Sequence, residues 1–224
     1  MKALFTADEF VNGIKKELPN AIEELKVKPG TVLSFEEIDS CYIISSGVIG
    51  GFIRNPMELK SEQVYSFFSK GDVVGFGQIF DNFKGMIFEA VTEVNVYAIK
   101  KTELEFWLSF PENTPFIYYI MKRFGTHYYL KSLLSLRTKG NVLPQSIYNL
   151  CFLLEANINE LDFVKFPKEF TQARLMEYST LSQGGFYKHL DILYQTEILF
   201  KDSSGITVNM KKMRESYPNM HVYK

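Results

Sequence analysis

A chain of 224 residues of which 46% are hydrophobic has enough apolar material for one large or two modest cores. Its formal net charge of −1 gives no whole-molecule attraction for nucleic acid or for an anionic membrane, so binding of either kind would need a local patch. No run approaches the roughly 20 apolar residues that span a bilayer, and the N-terminus carries Lys2, Asp8 and Glu9 where a signal sequence would be apolar.

Residues 7–18 spell an amphipathic helix, with Phe10, Val11, Ile14 and Leu18 on one side and Lys15, Lys16 and Glu17 on the other. Pro19 ends it. From residue 21 to 99 the pattern changes to short apolar or alternating runs: 25–27, 32–35, 41–44, 48–53, 63–68, 73–74, 87–91 and 94–99. Many short strands at this spacing predict an antiparallel sandwich or jelly roll. Cys41 and Cys151 sit in apolar surroundings far apart in sequence, which predicts buried free thiols in a reducing cytoplasm.

Residues 102–110 predict a short helix interrupted at Pro111. Residues 114–138 then run without proline beyond the first turn and carry an apolar stripe that includes Ile117, Ile120, Phe124 and Tyr128. At 1.5 Å per residue this helix would be roughly 37 Å long, too long for one small barrel to cover, so a partner helix is implied. Lys139-Gly140-Asn141 reads as a hinge, and Pro144 as the opening of a further helix through Ile147, Leu150 and Cys151.

The stretch 171–199 reads as two short helices joined by a tight turn. Thr171 and Ser182 are candidate caps, and Phe186, Leu190 and Leu193 recur at i, i+4 and i+7 on one face of the second helix. Gln183, Lys188 and Asp191 lie opposite. Apolar runs on either side of 201–205 predict a β-hairpin, and a helix-turn-helix followed by a hairpin is a winged helix. Residues 211–224 are polar and predict loose packing.

His127, His189 and His221 fall in separate elements, no His/Cys set has zinc spacing, and no hydrolase or phosphate-loop signature appears. The residues predict no enzyme, no metal and no cofactor.

Three segments carry a family resemblance: PGTVLSF at 29–35, YIISSG at 42–47 and GDVVGFG at 71–77. They resemble the strand and turn motifs of the cyclic-nucleotide-binding fold in the Crp/Fnr superfamily of bacterial transcription regulators, and the helix-turn-helix and wing fall where that family has them. The resemblance implies an α+β chain: an N-terminal antiparallel β-roll over residues 1–110, a dimerisation helix and hinge over 111–140, and a C-terminal winged helix-turn-helix over 141–224. It implies a cytoplasmic homodimer that binds twofold-related DNA half-sites, with RNA polymerase as a further partner and no membrane. Dimer contacts are expected at Ile117, Ile120, Phe124 and Tyr128. Gln183, Gly184 and Lys188 match base-reading positions, whereas Thr171, Gln172, Ser182, Lys201 and Ser203 are placed for phosphates or their surroundings.

Cyclic-AMP-responsive relatives use a glutamate on the ribose and an arginine on the phosphate. Here the glutamate position matches Phe76 and the arginine segment offers only Lys84, so the cassette is degenerate. This is similar to the branch of Gram-positive regulators that includes the Listeria virulence activator. Tyr65, Phe67, Phe76, Lys84, Phe124 and Tyr128 are the expected surroundings of an apolar or peptide effector, the aromatic ones being equally compatible with a filled core. The alternative is a ligand-binding or protein-interaction module with a degenerate helix-turn-helix, which the charge balance after Asn141 also accommodates. Gly184 and Gly185 give the second helix a weak start; either residues 179–188 are ordered by an effector or by DNA, or the glycines let the backbone approach a phosphate and the helix is rigid throughout.

Overall fold

The computed structural model describes residues 5–33, 40–54, 62–76, 86–154, 158–203 and 205–220. The chain forms two compact units, residues 1–127 and 128–224. Lys84 and His221 lie outside the described residues.

In the first unit the strands are β1 (Ile22–Val27), β2 (Val32–Leu33), β3 (Ser40–Ser46), β4 (Ile49–Arg54), β5 (Glu62–Phe68), β6 (Val73–Val74), β7 (Met86–Ala90) and β8 (Val94–Lys100). They pair antiparallel in two sheets ordered β1-β8-β3-β6 and β2-β7-β4-β5. The spacing of the apolar runs predicts short antiparallel strands, and their arrangement is the β-roll that the family resemblance implies. Successive side chains on a strand point to opposite faces, and β3 uses both. Tyr42 and Ile44 enter the roll interior with Val96, Ala98, Phe68 and Phe88. Cys41 and Ile43 face outward onto helices, so the run 41–44 reads as continuously apolar. Each large side chain buried this completely contributes about 1.5–3 kcal/mol.

The covering helices are α1 (Ala7–Glu17), α2 (Lys101–Leu108) and the first part of α3 (Thr114–Ser135). A capping box starts α1, in which Glu9 N–H donates to Thr6 Oγ1 at 3.1 Å and Thr6 N–H donates to Glu9 Oε2 at 2.6 Å. Phe10, Ile14, Trp107, Tyr119 and Ile120 then pack on the outer face of β3 and β8. Phe10 and Tyr119 stack at 4.2 Å between ring centroids.

The second unit holds α4 (Lys139–Leu154), β9 (Phe163–Lys165), α5 (Gln172–Ser179), α6 (Gln183–Gln195), β10 (Leu199–Asp202), β11 (Gly205–Asn209) and α7 (Met210–Ser216). The hairpin gains a third strand, in the order β10-β11-β9. The expected break at 139–141 is corrected: α3 ends at Ser135, and Gly140 lies in the first turn of α4. Pro144, expected to open that helix, sits inside it. Its missing N–H would have paired with the carbonyl of Gly140, near the end where the helix has fewest bonds to lose. The tail is corrected too. Met210 and Met213 on α7, and Met220 in a turn of 3₁₀ helix at Pro218–Met220, are buried.

Helix α4 is buried on nearly every side, its polar residues included. Gln145 accepts from Arg137 Nε at 2.9 Å and donates to Asn149 Oδ1 at 2.8 Å, and Asn149 donates to the Leu130 carbonyl at 2.8 Å. Every link is made, so burial of these groups carries no desolvation penalty left unanswered. The chain of bonds fastens the end of α3 to α4.

Candidate nucleic-acid interface

The two helices of the helix-turn-helix are α5 and α6. Leu175, Tyr178, Phe186, Leu190 and Leu193 are their buried face. Thr171 has the extended backbone of a cap, but its side chain makes no capping bond, which corrects that expectation. Ser182 does cap α6, its hydroxyl accepting from Gly185 N–H at 3.4 Å. Between the helices Thr180 adopts the left-handed conformation, with φ of 60°. A β-branched residue there is strained. Thr180→Gly should therefore raise the unfolding free energy by about 1 kcal/mol, read from the denaturant midpoint at unchanged slope; a loss of stability would show that its hydroxyl bond to the Ser179 carbonyl, at 2.6 Å, matters more.

Ser182, Gln183, Gly184 and Lys188 share the exposed N-terminal part of α6. Lys201 and Ser203 are exposed at the end of the hairpin, and Thr171 is exposed before α5. Gln172 is engaged, its amide donating to the Tyr194 hydroxyl at 3.1 Å and tying α5 to α6. A Cβ added at Gly184 would meet nothing within 4 Å. From Tyr128 onward the sequence has 12 Lys and Arg against 9 Asp and Glu, and before it 13 against 17. The excess of three comes from Lys131, Arg137 and Lys139, and after Asn141 the charges balance.

The last turns of α3 hold this motif through Lys131, whose Nζ donates to the Tyr178 carbonyl at 3.1 Å and lies 4.7 Å from the Tyr178 ring centroid. Burial lowers its pKa to about 8. Below that pH folding carries the cost of a buried ammonium; between about 8 and 10.5 only the unfolded chain stays charged, so stability rises with pH. The gain is on the order of 2–3 kcal/mol. Chemical unfolding of wild type and Lys131→Met across pH 7–10.5 reads it as a difference between the two curves, and parallel curves would refute it.

Of the expected effector surroundings, Phe67 and Phe76 are packed core residues and Tyr65 is half-buried against the roll interior. Phe76 stacks on the half-buried Phe124 at 6.0 Å. Tyr128 is exposed. The dimer set divides as well, which corrects it: Ile120 is only 2% exposed, and Ile117 and Phe124 pack against the same internal cluster. They serve the chain's own core.

The sequence gives no sign of a buried polar network that the fold assembles. Asp72 Oδ1 accepts from Arg123 Nε at 2.5 Å and lies 3.2 Å from His127 Nε2, which points off the line of a hydrogen bond; Asp72 Oδ2 accepts from Ser69 N–H at 2.8 Å. The Ser66 hydroxyl is 2.7 Å from His127 Nδ1. Burial would raise the Asp72 carboxyl, but His127 and Arg123 overcome this and hold it well below the usual carboxylate range. Gly71 makes the turn possible, with φ of +84° and no room for a Cβ beside Tyr119 and Ala7. The Ser66–His127–Asp72 order is that of a hydrolase triad. Each of these residues is 2% exposed or less, however, and the crevice between Asp72, Arg123, Phe124 and His127 has no room for even a water. No substrate can reach the hydroxyl. The network is a clamp between α3 and the roll.

Among the described residues no group of three or more His, Cys, Asp and Glu could hold a metal, and no helix is long and apolar enough to cross a membrane. No protein-family model matches the sequence, and no curated protein matches it. Solved structures do. A cyclic nucleotide-binding domain containing protein from Listeria monocytogenes EGD-e is similar over 92% of this chain and 99% of its own, at 19% identity and a TM-score of 0.73. FixK2 from Bradyrhizobium japonicum is similar over 87% and 96%, at 15% and 0.67. A CRP/FNR family transcriptional regulator from Thermus thermophilus is similar over 89% and 100%, at 14% and 0.65. At these identities the likeness establishes the fold: an antiparallel β-roll of the cyclic-nucleotide-binding type, a long helix and a C-terminal winged helix-turn-helix.

Proposed function

We propose that this chain is a dimeric, sequence-specific DNA-binding transcription regulator of the Crp/Fnr type that acts without cyclic AMP. The observation that carries this reading is the capped α6, which presents Gln183, Lys188 and an unobstructed Gly184 to solvent. In helix-turn-helix proteins such a helix N-terminus meets base edges while flanking groups take phosphates. Structural neighbours described as transcriptional regulators support the reading. The fit to the branch that lacks cyclic-nucleotide residues rests on Phe76, packed in the core where a ribose-binding glutamate would stand.

Dimerisation falls to the other face of α3. Tyr118, Met121, Gly125, Tyr128, Ser132 and Ser135 follow each other at spacings of 3 and 4, the seam of a coiled coil. Tyr118, Met121 and Tyr128 are 62%, 58% and 68% exposed, leaving an apolar edge for a second copy.

Cyclic AMP should not bind appreciably. Phe68, Phe88 and Val96 fill the roll interior, and a phosphate and ribose lacking partners forfeit about 1–3 kcal/mol per group. Titration calorimetry is expected to give no heat; a micromolar dissociation constant would overturn the expectation.

The function is tested by measuring affinity for specific and random duplexes at several salt concentrations. Lys188→Ala should weaken specific sites more than random DNA, whereas Lys201→Ala should weaken both and flatten the salt slope. Absence of salt-dependent binding to any duplex would favour an interaction module instead.

A further inference from the structure

We infer that α6 reads half-sites containing A·T pairs, with the Tyr187 ring packed on a thymine methyl and the Gln183 amide on the neighbouring adenine. This rests on the DNA-binding reading above and names the sequence class that it selects. Gln183 and Tyr187 stand four residues apart and therefore on one row of the helix. Both are exposed, Tyr187 by 42%. The Tyr187 ring is held edge-on by the fully buried Phe186, at 5.4 Å and 79° between ring planes. An aromatic edge pinned this way offers a surface already ordered before binding, at little further loss of side-chain freedom.

Beside that row the surface is empty. Gly184 has no side chain and nothing within 4 Å of where a Cβ would be, so the helix backbone and the flank of Tyr187 can approach the groove floor. Of the four bases only thymine projects a methyl group there, and apolar side chains recognise it by contact; a glutamine amide matches adenine N6 and N7. The row contains no arginine to take the O6 and N7 of guanine. Lys188 follows Gly184 by four residues, on the adjoining row, and is the one lysine or arginine in the sequence of α6.

Selection of bound sequences from a random duplex library by the full chain supplies the probe. Deoxyuridine is then placed for thymidine position by position, which removes only the methyl group. One thymine in each half-site should lose about fourfold in affinity when so replaced, the worth of one buried methyl. Tyr187→Ala should bind the two duplexes equally, and Tyr187→Phe should keep the difference. Gln183→Ala should lose discrimination at the adjacent adenine. Indifference of the wild type to uracil at every position, or a full uracil penalty in Tyr187→Ala, would overturn the assignment. Enrichment of half-sites that contain no A·T pair would overturn it and leave the DNA-binding function standing; no enriched sequence would remove both.

Discussion

Asp72→Ala should cost the first unit about 3–5 kcal/mol, a large part of the stability of a domain this size. The carboxylate accepts from Arg123 and from the Ser69 amide, and it stands against His127. Its removal strands a mostly buried guanidinium and an N–H without a partner, which costs more than the ion pair itself contributes. Asp72→Asn should fall between, because an amide oxygen can still accept from Ser69 while the Arg123 charge stays unanswered. Arg123→Met in the Asp72→Ala background should recover part of the loss, since two apolar neighbours leave no orphaned charge. The pH dependence has a definite sign. The folded-state pKa lies below the unfolded one, so this stabilisation is present above about pH 4 and is lost as pH falls below it. Urea midpoints at pH 7 and pH 3 provide the check: equal destabilisation by Asp72→Ala at both would mean that the carboxylate is not ionised in the fold.

The second large effect is on assembly. Tyr128→Asp and Met121→Asp should turn a dimer into a folded monomer, because both side chains are largely exposed in the isolated chain and a buried carboxylate at a seam position is expensive to desolvate. The variants should stay folded, with a thermal midpoint lowered only by the loss of the stabilisation that dimerisation gives and no longer dependent on protein concentration. Affinity for a twofold site should fall by about 10²–10⁴, the contribution of binding two linked half-sites at once. Phe124→Asp is a poorer test of the interface, since Phe124 packs against the internal cluster and stacks on Phe76, and its loss would unfold the roll. A wild-type chain that sediments as a monomer at micromolar concentration would contradict the seam.

Helix α3 shows why the fold is more legible in the sequence than the site. Its long apolar character is plain, but it has two apolar faces, one for Ile120 against the roll and one for Tyr118, Met121 and Tyr128 in solvent. With apolar residues on both sides, periodicity alone cannot assign either, and it places Ile117, Ile120 and Phe124 on the wrong surface. The strands are readable because turn residues separate them and because β3 is buried on both faces, which leaves a run of unbroken hydrophobicity. The clamp is not readable. Ser66, Asp72 and His127 are brought together across 61 and 55 positions of sequence by the pairing of β5 and β6 into sheets that α3 then crosses. Each alone looks like an ordinary polar residue. The α3–α4 boundary misleads for a different reason: Gly140 signals a helix end, but near the start of α4 it interrupts few hydrogen bonds and is tolerated. Met210 and Met213, three residues apart and buried as Met220 is, are a helical signal that the surrounding lysines obscure.

The central claim, a dimer that reads DNA through α6, is tested most directly by a hydroxyl-radical footprint of the wild-type chain on its selected duplex, with stoichiometry measured on the same complex. Two protected half-sites related by twofold symmetry, centred about one helical turn or 10–10.5 base pairs apart, with two chains per duplex, are the expected result. A single protected half-site occupied by one chain, or uniform protection without sequence preference, would contradict it.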